Sequence, residues 1–376
     1  MEGKQTTYAN ETGVKRKQNN GQIFKYDLTE VVTDPVKKAT ELVDNFAEIL
    51  KSEGIKVTRP DVFFDMSADI KTPIFEVSQS SGATCPRDVF FVAGNNLIEA
   101  TMSWKCRYFE HYAWRKALMS YYERDPKMRW TCAPKPIMQE SSFNLDPKLK
   151  TLNNGEILFD AADVRRFGQD FFVQSAHTAN DTGRDWIRRT LAADGIRVHE
   201  FEFAGQAPGE NMGCPVTFSH MDAKVTPVDE YTMLWCAEEH PSEGMFQLFK
   251  ENDWKLIEAP KRYGCSSPLD ATARGIHLNM LVAGNSRAFV ECTETALIKT
   301  MREEGIDVVP VPYAPVYMYG GGLNCWTLDI SRDGRMKSYF RTLDERAERA
   351  AARQERLAER REREDRDSSP KSRRRA

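Results

Sequence analysis

The 376-residue chain has no run of eighteen apolar residues, the length a membrane-spanning helix requires. Its first stretch, MEGKQTTYANETGVKRKQNNGQIF, lacks the apolar centre of a secretory signal. It is also too mixed in charge, and too poor in arginine, for a transit peptide. The eight cysteines include no C-x-x-C pair, and the six histidines include no pair at metal-ligand spacing. These absences argue against a disulfide scaffold, a structural zinc site and a membrane partner. They predict a reduced, cytoplasmic protein.

What is present is a large reserve of core. Hydrophobic residues make up 40% of the chain and aromatic residues 10%. The net charge of −3 is unevenly spread. From Leu343 onward the chain reads LDERAERAAARQERLAERREREDRDSSPKSRRRA, with twelve basic and nine acidic residues. This stretch, 343–376, reads as a charged tail, helical or disordered, because interleaved Glu and Arg support a solvated helix but offer nothing to bury. Its KSRRR end could contact nucleic acid, but the glutamates before it would repel phosphate, so nucleic acid is disfavoured as a partner.

A repeat runs through the remainder. LKSEGIKVTRP (50–60), LAADGIRVHEF (191–201) and MREEGIDVVPV (301–311) each read as a helix end, a Gly stop and a β-branched run. FKENDWKLIEAP (249–260) has the same shape with Asp253-Trp254 in place of Gly-Ile, and YYERDPKMRWTCAPKP (121–136) is a looser copy. Ahead of the first copy, Pro35 marks a helix start, and Val36, Ala39, Leu42, Phe46, Ile49 and Leu50 share one face. Gly54 supplies the left-handed stop. Strand-like runs at 88–100, 231–239 and 287–293 precede the later helices. About five α/β modules are therefore expected, packed against their neighbours in a ring. An open α/β sheet is the alternative.

Polar residues recur at a common phase after these copies. Asp88 lies in ATCPRDVFF, Asp160 and Asp163 in ILFDAADVRRFGQD, His220 and Asp222 in TFSHMDAKV, and Cys325 in MYGGGLNCWTLD. Alone, Asp88 would pass for a turn residue or the partner of Arg87, Asp160 for a helix cap, and His220 for a structural histidine. His111, His177, His199, His240 and His277 are read as structural. Around a common axis, however, the first set would converge. Paired carboxylates hold a planar guanidinium through charge-assisted hydrogen bonds. A thiolate can then attack its electrophilic carbon, and a histidine beside a carboxylate can move the protons.

With these residues in view, the chain resembles the amidinotransferases of the guanidine-modifying (pentein) superfamily. RPDVFFDMSADIKTPIFE, PRDVFFVAGNNLIEA, APKP, FDAADVRRFGQDFFVQ, HMDA and GGGLNCWTLDI look like family segments in family order, over about residues 27–340. The resemblance implies a five-bladed α/β propeller of ββαβ-type modules over 25–342, preceded by a divergent, flexible segment 1–24. It implies Cys325 as nucleophile, His220 as general acid and base, Asp160 as its carboxylate partner, and Asp88 and Asp222 as guanidinium holders. It further implies L-arginine as donor, an amine as acceptor, no metal or organic cofactor, and room for a homodimer.

Three departures carry expectations of their own. No family-like strand motif precedes Phe24, so the first blade should lack a strand. The position where glycine-using relatives carry an arginine falls on Glu239, and their paired serines align with Thr272-Ala273 or Ser266-Ser267, so glycine is not the expected acceptor. Lys224, directly after HMDA, would be free to pair with an acidic substrate group. The alternatives to a transferase are a guanidine hydrolase of the same superfamily and a non-catalytic binding protein that keeps the fold.

Overall fold

The computed structural model describes residues 34–341 apart from 62–64, 66–67, 79, 81–82, 145–151, 176, 205–219, 263–274 and 285. It also describes the backbone pairs Arg16–Lys17 and Ile23–Phe24, which form a two-stranded antiparallel ladder, and residue 345. The rest of the N-terminal segment and of the charged tail lies outside the described residues.

The first helix, α1 (Pro35–Ser52), starts where the proline predicted. Asp34 caps it by accepting a hydrogen bond from the Lys37 amide at 3.0 Å, and Pro35 occupies the first turn, where its missing N–H costs nothing. Ala39, Leu42, Phe46, Ile49 and Leu50 are buried along one face. Val36, grouped with that face by spacing, is 63% exposed: the first turn precedes the stretch that the helix buries.

The repeat read from the sequence is a recurring helix stop. After α1, Gly54 adopts φ +81°, and the Ile55 amide reaches back to the Leu50 carbonyl. The same six-to-one hydrogen bond joins Ile196 to Leu191, Ile306 to Met301 and Trp254 to Phe249. Gly195 and Gly305 hold the left-handed position in two of these, and Asp253 takes φ +64° in the third. Asp is among the few non-glycine residues that tolerate this region, which explains how the Asp-Trp copy keeps the shape. The looser copy at 121–136 ends without such a turn.

Four complete modules follow one plan. An antiparallel hairpin is followed by a helix, and the chain returns as a third strand parallel to the second. The first has β1 (Phe90–Ala93), β2 (Asn96–Glu99), α2 (His111–Arg124) and β3 (Arg129–Cys132). The second has β4 (Val164–Phe167), β5 (Asp170–Val173), α3 (Asp181–Ala192) and β6 (Arg197–Glu200). The third has β7 (Val225–Asp229), β8 (Thr232–Trp235), α4 (Glu243–Glu251) and β9 (Lys255–Glu258). The fourth has β10 (Leu281–Gly284), β11 (Arg287–Glu291), α5 (Thr295–Glu303) and β12 (Asp307–Val311). Of the runs that read as strands in the sequence, 88–100 is thus a whole hairpin, and 231–239 and 287–293 each hold a second strand. Each second strand is flanked on both sides, and β2 and β5 are buried throughout. Burying one such Leu, Ile or Phe contributes about 1.5–3 kcal/mol.

The cores lie between modules. One apolar cluster joins the first and second, a phenylalanine-rich one the second and third, another the third and fourth, and a last one joins the fourth to α1. Leu328 and Ile330, past Cys325, pack back onto the first cluster. The modules therefore follow one another around an axis, and a hydrogen bond from the Arg87 amide to the Cys325 carbonyl, 3.4 Å, ties the last to the first. This is the α/β ring the repeat predicted. The fifth module differs. It has α1, the helical turn Ala314–Tyr319 and the Cys325 segment, but neither 55–60 nor 327–330 is in a strand. The strand expected to be missing before Phe24 is a separate one, and its place lies almost wholly outside the described residues.

Candidate active site

Each module approaches the axis through a short helical turn directly before its first strand. These turns are Pro86–Val89, Ala161–Asp163, Met221–Ala223 and Ile276–Leu278, and consecutive ones touch. The polar residues of common phase sit on or beside them. This is why spacing along the chain becomes proximity in space.

Cys325 is 4% exposed and held from several directions. The Asn279 side chain accepts from the amides of Gly322 (3.1 Å) and Cys325 (2.9 Å) through Oδ1, and its Nδ2 donates to the Cys325 Sγ at 3.0 Å. The thiol donates to Asp222 Oδ2 at 3.3 Å. Gly321, at φ +71°, permits the approach: a Cβ there would lie 2.5 Å from the Cys325 Cβ and 3.0 Å from the Cys85 Sγ. The glycines let the chain fold tightly enough to present the sulfur. A Cys85 hydrogen bond, burial, and the nearby Asp222 and Asp88 push the thiol pKa well above its ordinary value. The sulfur is therefore held as a protonated thiol at neutral pH.

His220 Nε2 stands 3.1 Å from Asp160 Oδ2, and its Nδ1 stands 3.7 Å from Asp88 Oδ1. Burial would lower its pKa, but Asp88, the Asp160 hydrogen bond and Asp163 outweigh burial and raise it to about 10. The imidazole is held as an imidazolium. Asp160, fully buried, accepts from the Ser103 amide (2.8 Å) and hydroxyl (2.7 Å) through its other oxygen. It begins the Ala161–Asp163 turn but makes no capping bond. Burial opposes its charge, yet His220 and Arg107 hold its pKa below the ordinary value.

Asp88 and Asp222 are 5% and 1% exposed. Asp88 Oδ2 pairs with Arg107 Nη2 at 3.0 Å, not with Arg87, which turns away to Asp329. Asp222 Oδ2 accepts from Asn324 Nδ2 at 2.7 Å. The second oxygen of each, Asp88 Oδ1 and Asp222 Oδ1, is buried without a hydrogen-bond donor among the described residues. Buried acceptors of this kind are rare and costly unless something fills them. Burial raises the Asp88 carboxyl, and His220 and Arg107 offset this only in part.

All five residues nominated from the sequence thus meet in one site. Reasoning from sequence missed Asn279, Arg107, Ser103, Asn324 and Cys85. Asn279 had a signal, since the common phase after the Asp253-Trp254 copy falls on the Ile276–Leu278 turn and its neighbour. Arg107 had none: it is the guanidinium that bridges Asp88, Glu110 and Asp160 from the loop before α2. Lys224 was expected to face substrate. It is instead fully buried, donates to Gln174 Oε1 at 3.1 Å and lies over the Phe203 ring. Glu239 is half-buried in the turn Ala237–Glu239, while 266–267 and 272–273 lie outside the described residues. Among the described residues, no group of three His, Cys, Asp or Glu is placed to hold a metal ion, and no helix is long and apolar enough to cross a membrane.

No family model matches the chain. Whole-sequence comparison is more informative. The chain is 34% identical over 323 residues to the mitochondrial glycine amidinotransferase of Xenopus laevis, covering 82% of this chain and 72% of that protein. It is 31% identical over 311 residues to the L-arginine:L-lysine amidinotransferase of Pseudomonas savastanoi pv. phaseolicola, covering 80% and 81%. Among solved structures, an amidinotransferase of the saxitoxin biosynthetic pathway from Microseira wollei superposes with a TM-score of 0.74 at 31% identity, covering 82% of this chain and 87% of its own.

Proposed function

The chain belongs to the amidinotransferase family, enzymes of pentein fold that transfer amidino groups, and we propose that it carries the group from L-arginine to a primary amine through Cys325. The observation that supports this reading best is the pair of buried, donorless oxygens, Asp88 Oδ1 and Asp222 Oδ1, beside the Cys325 thiol. A guanidinium bound between them supplies the missing donors and a compensating charge.

That charge is also what activates the sulfur. The Cys85 hydrogen bond and burial hold the thiol protonated, and Asp222 and Asp88 add their field. An arriving cation cancels their field, so the thiol releases its proton to solvent and becomes a thiolate. The thiolate attacks the central guanidinium carbon, forming a C–S bond. His220, an imidazolium at neutral pH, donates its proton to the departing nitrogen as the C–N bond breaks. Ornithine leaves as the free amine and Cys325 carries the amidinium. Asp160, locked by Ser103, keeps the imidazole oriented and stabilises its charge. In the second half the acceptor amine attacks the amidinium carbon, neutral His220 takes its proton, and the thiolate departs. As the product guanidinium leaves, the thiolate regains a proton from solvent, and charge and protons stand where they began.

The acceptor is proposed to be an amine other than glycine, because Glu239 stands at the position where glycine-using relatives carry an arginine. A place in specialised-metabolite biosynthesis is supported by the saxitoxin-pathway relative, and a cytoplasmic location by the six described cysteines, all free. Incubation with arginine, with and without a panel of amines, tests the reading through ornithine, citrulline and the mass of the Cys325 peptide. Ornithine release that depends on the amine, with an amidino adduct on Cys325, is expected. Citrulline as the main product would turn the assignment to hydrolysis. Cys325→Ser should lower turnover by at least about 10³-fold.

A further inference from the structure

A second site lies at the ring axis, behind the Cys325 segment. A cavity of about 160 Å³ is lined by first-strand residues of all four complete modules, Val92, Arg165, Pro227 and Val282 among them, and by the 324–332 segment. Four arginines line it, Arg87, Arg165, Arg166 and Arg332, against a single carboxylate, Asp329. Asp329 is already engaged, with Arg87 Nη1 and Arg332 Nη2 each 3.0 Å away. Arg87 and Arg332 hold its carboxyl well below the ordinary range despite burial.

Two of the four arginines remain undersatisfied. Arg165 Nη2 donates to Thr226 Oγ1 at 3.1 Å, but its Nε is buried with no acceptor among the described residues, and so is Arg87 Nη2. A buried guanidinium N–H without a partner carries its full desolvation penalty, and several like charges around one small cavity add repulsion. Burial lowers Arg165 to about 10, with the neighbouring Arg87 acting in the same direction. Guanidinium groups that converge with unspent donors match a small anion with several acceptor oxygens. The cavity is smaller than the ~300 Å³ at which sites for larger ligands begin, so a nucleotide or cofactor does not fit.

We propose that this cavity is a binding site for a small multivalent oxyanion, with inorganic phosphate as its representative. It is separate from the carboxylate-lined site, whose acidic residues would repel such a ligand. Asn324 stands between the two: its side chain donates to Asp222, and its carbonyl accepts from Arg87 Nε at 3.3 Å.

Titration of the full chain with inorganic phosphate, in chloride buffer of matched ionic strength, tests the proposal by calorimetry and by Tm. Saturable binding with a rising Tm is expected, and sulfate should compete. Arg165→Met and Arg332→Gln should each weaken phosphate binding about tenfold or more, the loss of one charge-assisted hydrogen bond. Arg332, whose side chain is 30% exposed, keeps the test available if the Arg165 variant does not fold. Equal Tm shifts from phosphate and chloride would overturn the proposal, as would undiminished binding in both variants. Displacement of phosphate by arginine would assign it to the Cys325 site and overturn the second site. None of these readouts requires turnover, so a failed amidino transfer would leave the result intact.

Discussion

The four complete modules and the fifth solve the same problem by different means. In the complete modules a three-stranded sheet carries the functional turn, and backbone ladders fix its position. The fifth holds Cys325 with no sheet among its described residues. Side-chain hydrogen bonds from Asn279, three glycines and the packing of α1 against β11 and β12 replace the ladder. The comparison teaches that the nucleophile is positioned by its neighbour module, through Asn279, more than by its own.

The strongest challenge to this comparison is removal of the α1 anchor. Phe46 meets Phe289 at 6.2 Å and Tyr313 at 6.0 Å between ring centroids. Phe46→Ala should cost about 3–5 kcal/mol in urea denaturation. A loss under about 1 kcal/mol would show that the fifth module is not integral to the ring.

Asn279→Ala comes next. It removes three hydrogen bonds to the Cys325 segment, and a nucleophile displaced by an ångström loses on the order of 10²-fold in kcat. Thiol alkylation rates measured alongside kcat would separate mispositioning from unfolding. An unchanged kcat would return the positioning role to the fifth module itself.

A smaller and paired effect sharpens the contrast between local and tertiary demands. Gly195 and Gly321 share a left-handed φ, but a Cβ on Gly195 meets nothing within 4 Å among the described residues, whereas one on Gly321 strikes Cys325 and Cys85. Gly195→Ala should cost about 1–2 kcal/mol from backbone strain alone. Gly321→Ala should cost more and also suppress turnover. Equal Tm losses with full activity in both would refute the close-packing argument.

The gentlest probe is pH. The folded-state pKa of His220 is raised to about 10, above the ordinary histidine value near 6.5. Its stabilising contribution is therefore complete below about pH 6.5 and is lost as pH rises through about 10. Denaturation curves between pH 6 and 10 should decline more steeply for the wild type than for His220→Asn. Parallel curves would mean that His220 does not hold its proton in the folded state.

Legibility from sequence followed the range of the physics. The helix stops were readable at Gly54, Gly195 and Gly305, and even at Asp253, because a left-handed residue and its six-to-one hydrogen bond involve only adjacent residues. The convergence of Asp88, Asp160, His220, Asp222 and Cys325 was readable because they recur at a similar phase after the repeated copies. Val36 and Lys224 were misplaced for the opposite reason: their surroundings come from elements distant in the chain. Arg107 and the arginine-lined cavity left no local pattern to find.

By itself, then, the sequence determined the modules, their caps and the phase of the polar residues, since local hydrogen bonding and steric limits on φ decide these. Only the tertiary structure decided how the site is charged and held. The protonated thiol, the imidazolium, the donorless oxygens of Asp88 and Asp222 and the unspent guanidinium N–H groups all arise from burial and from charges brought together by ring closure. Those energies depend on distance in space, which spacing along the chain does not contain.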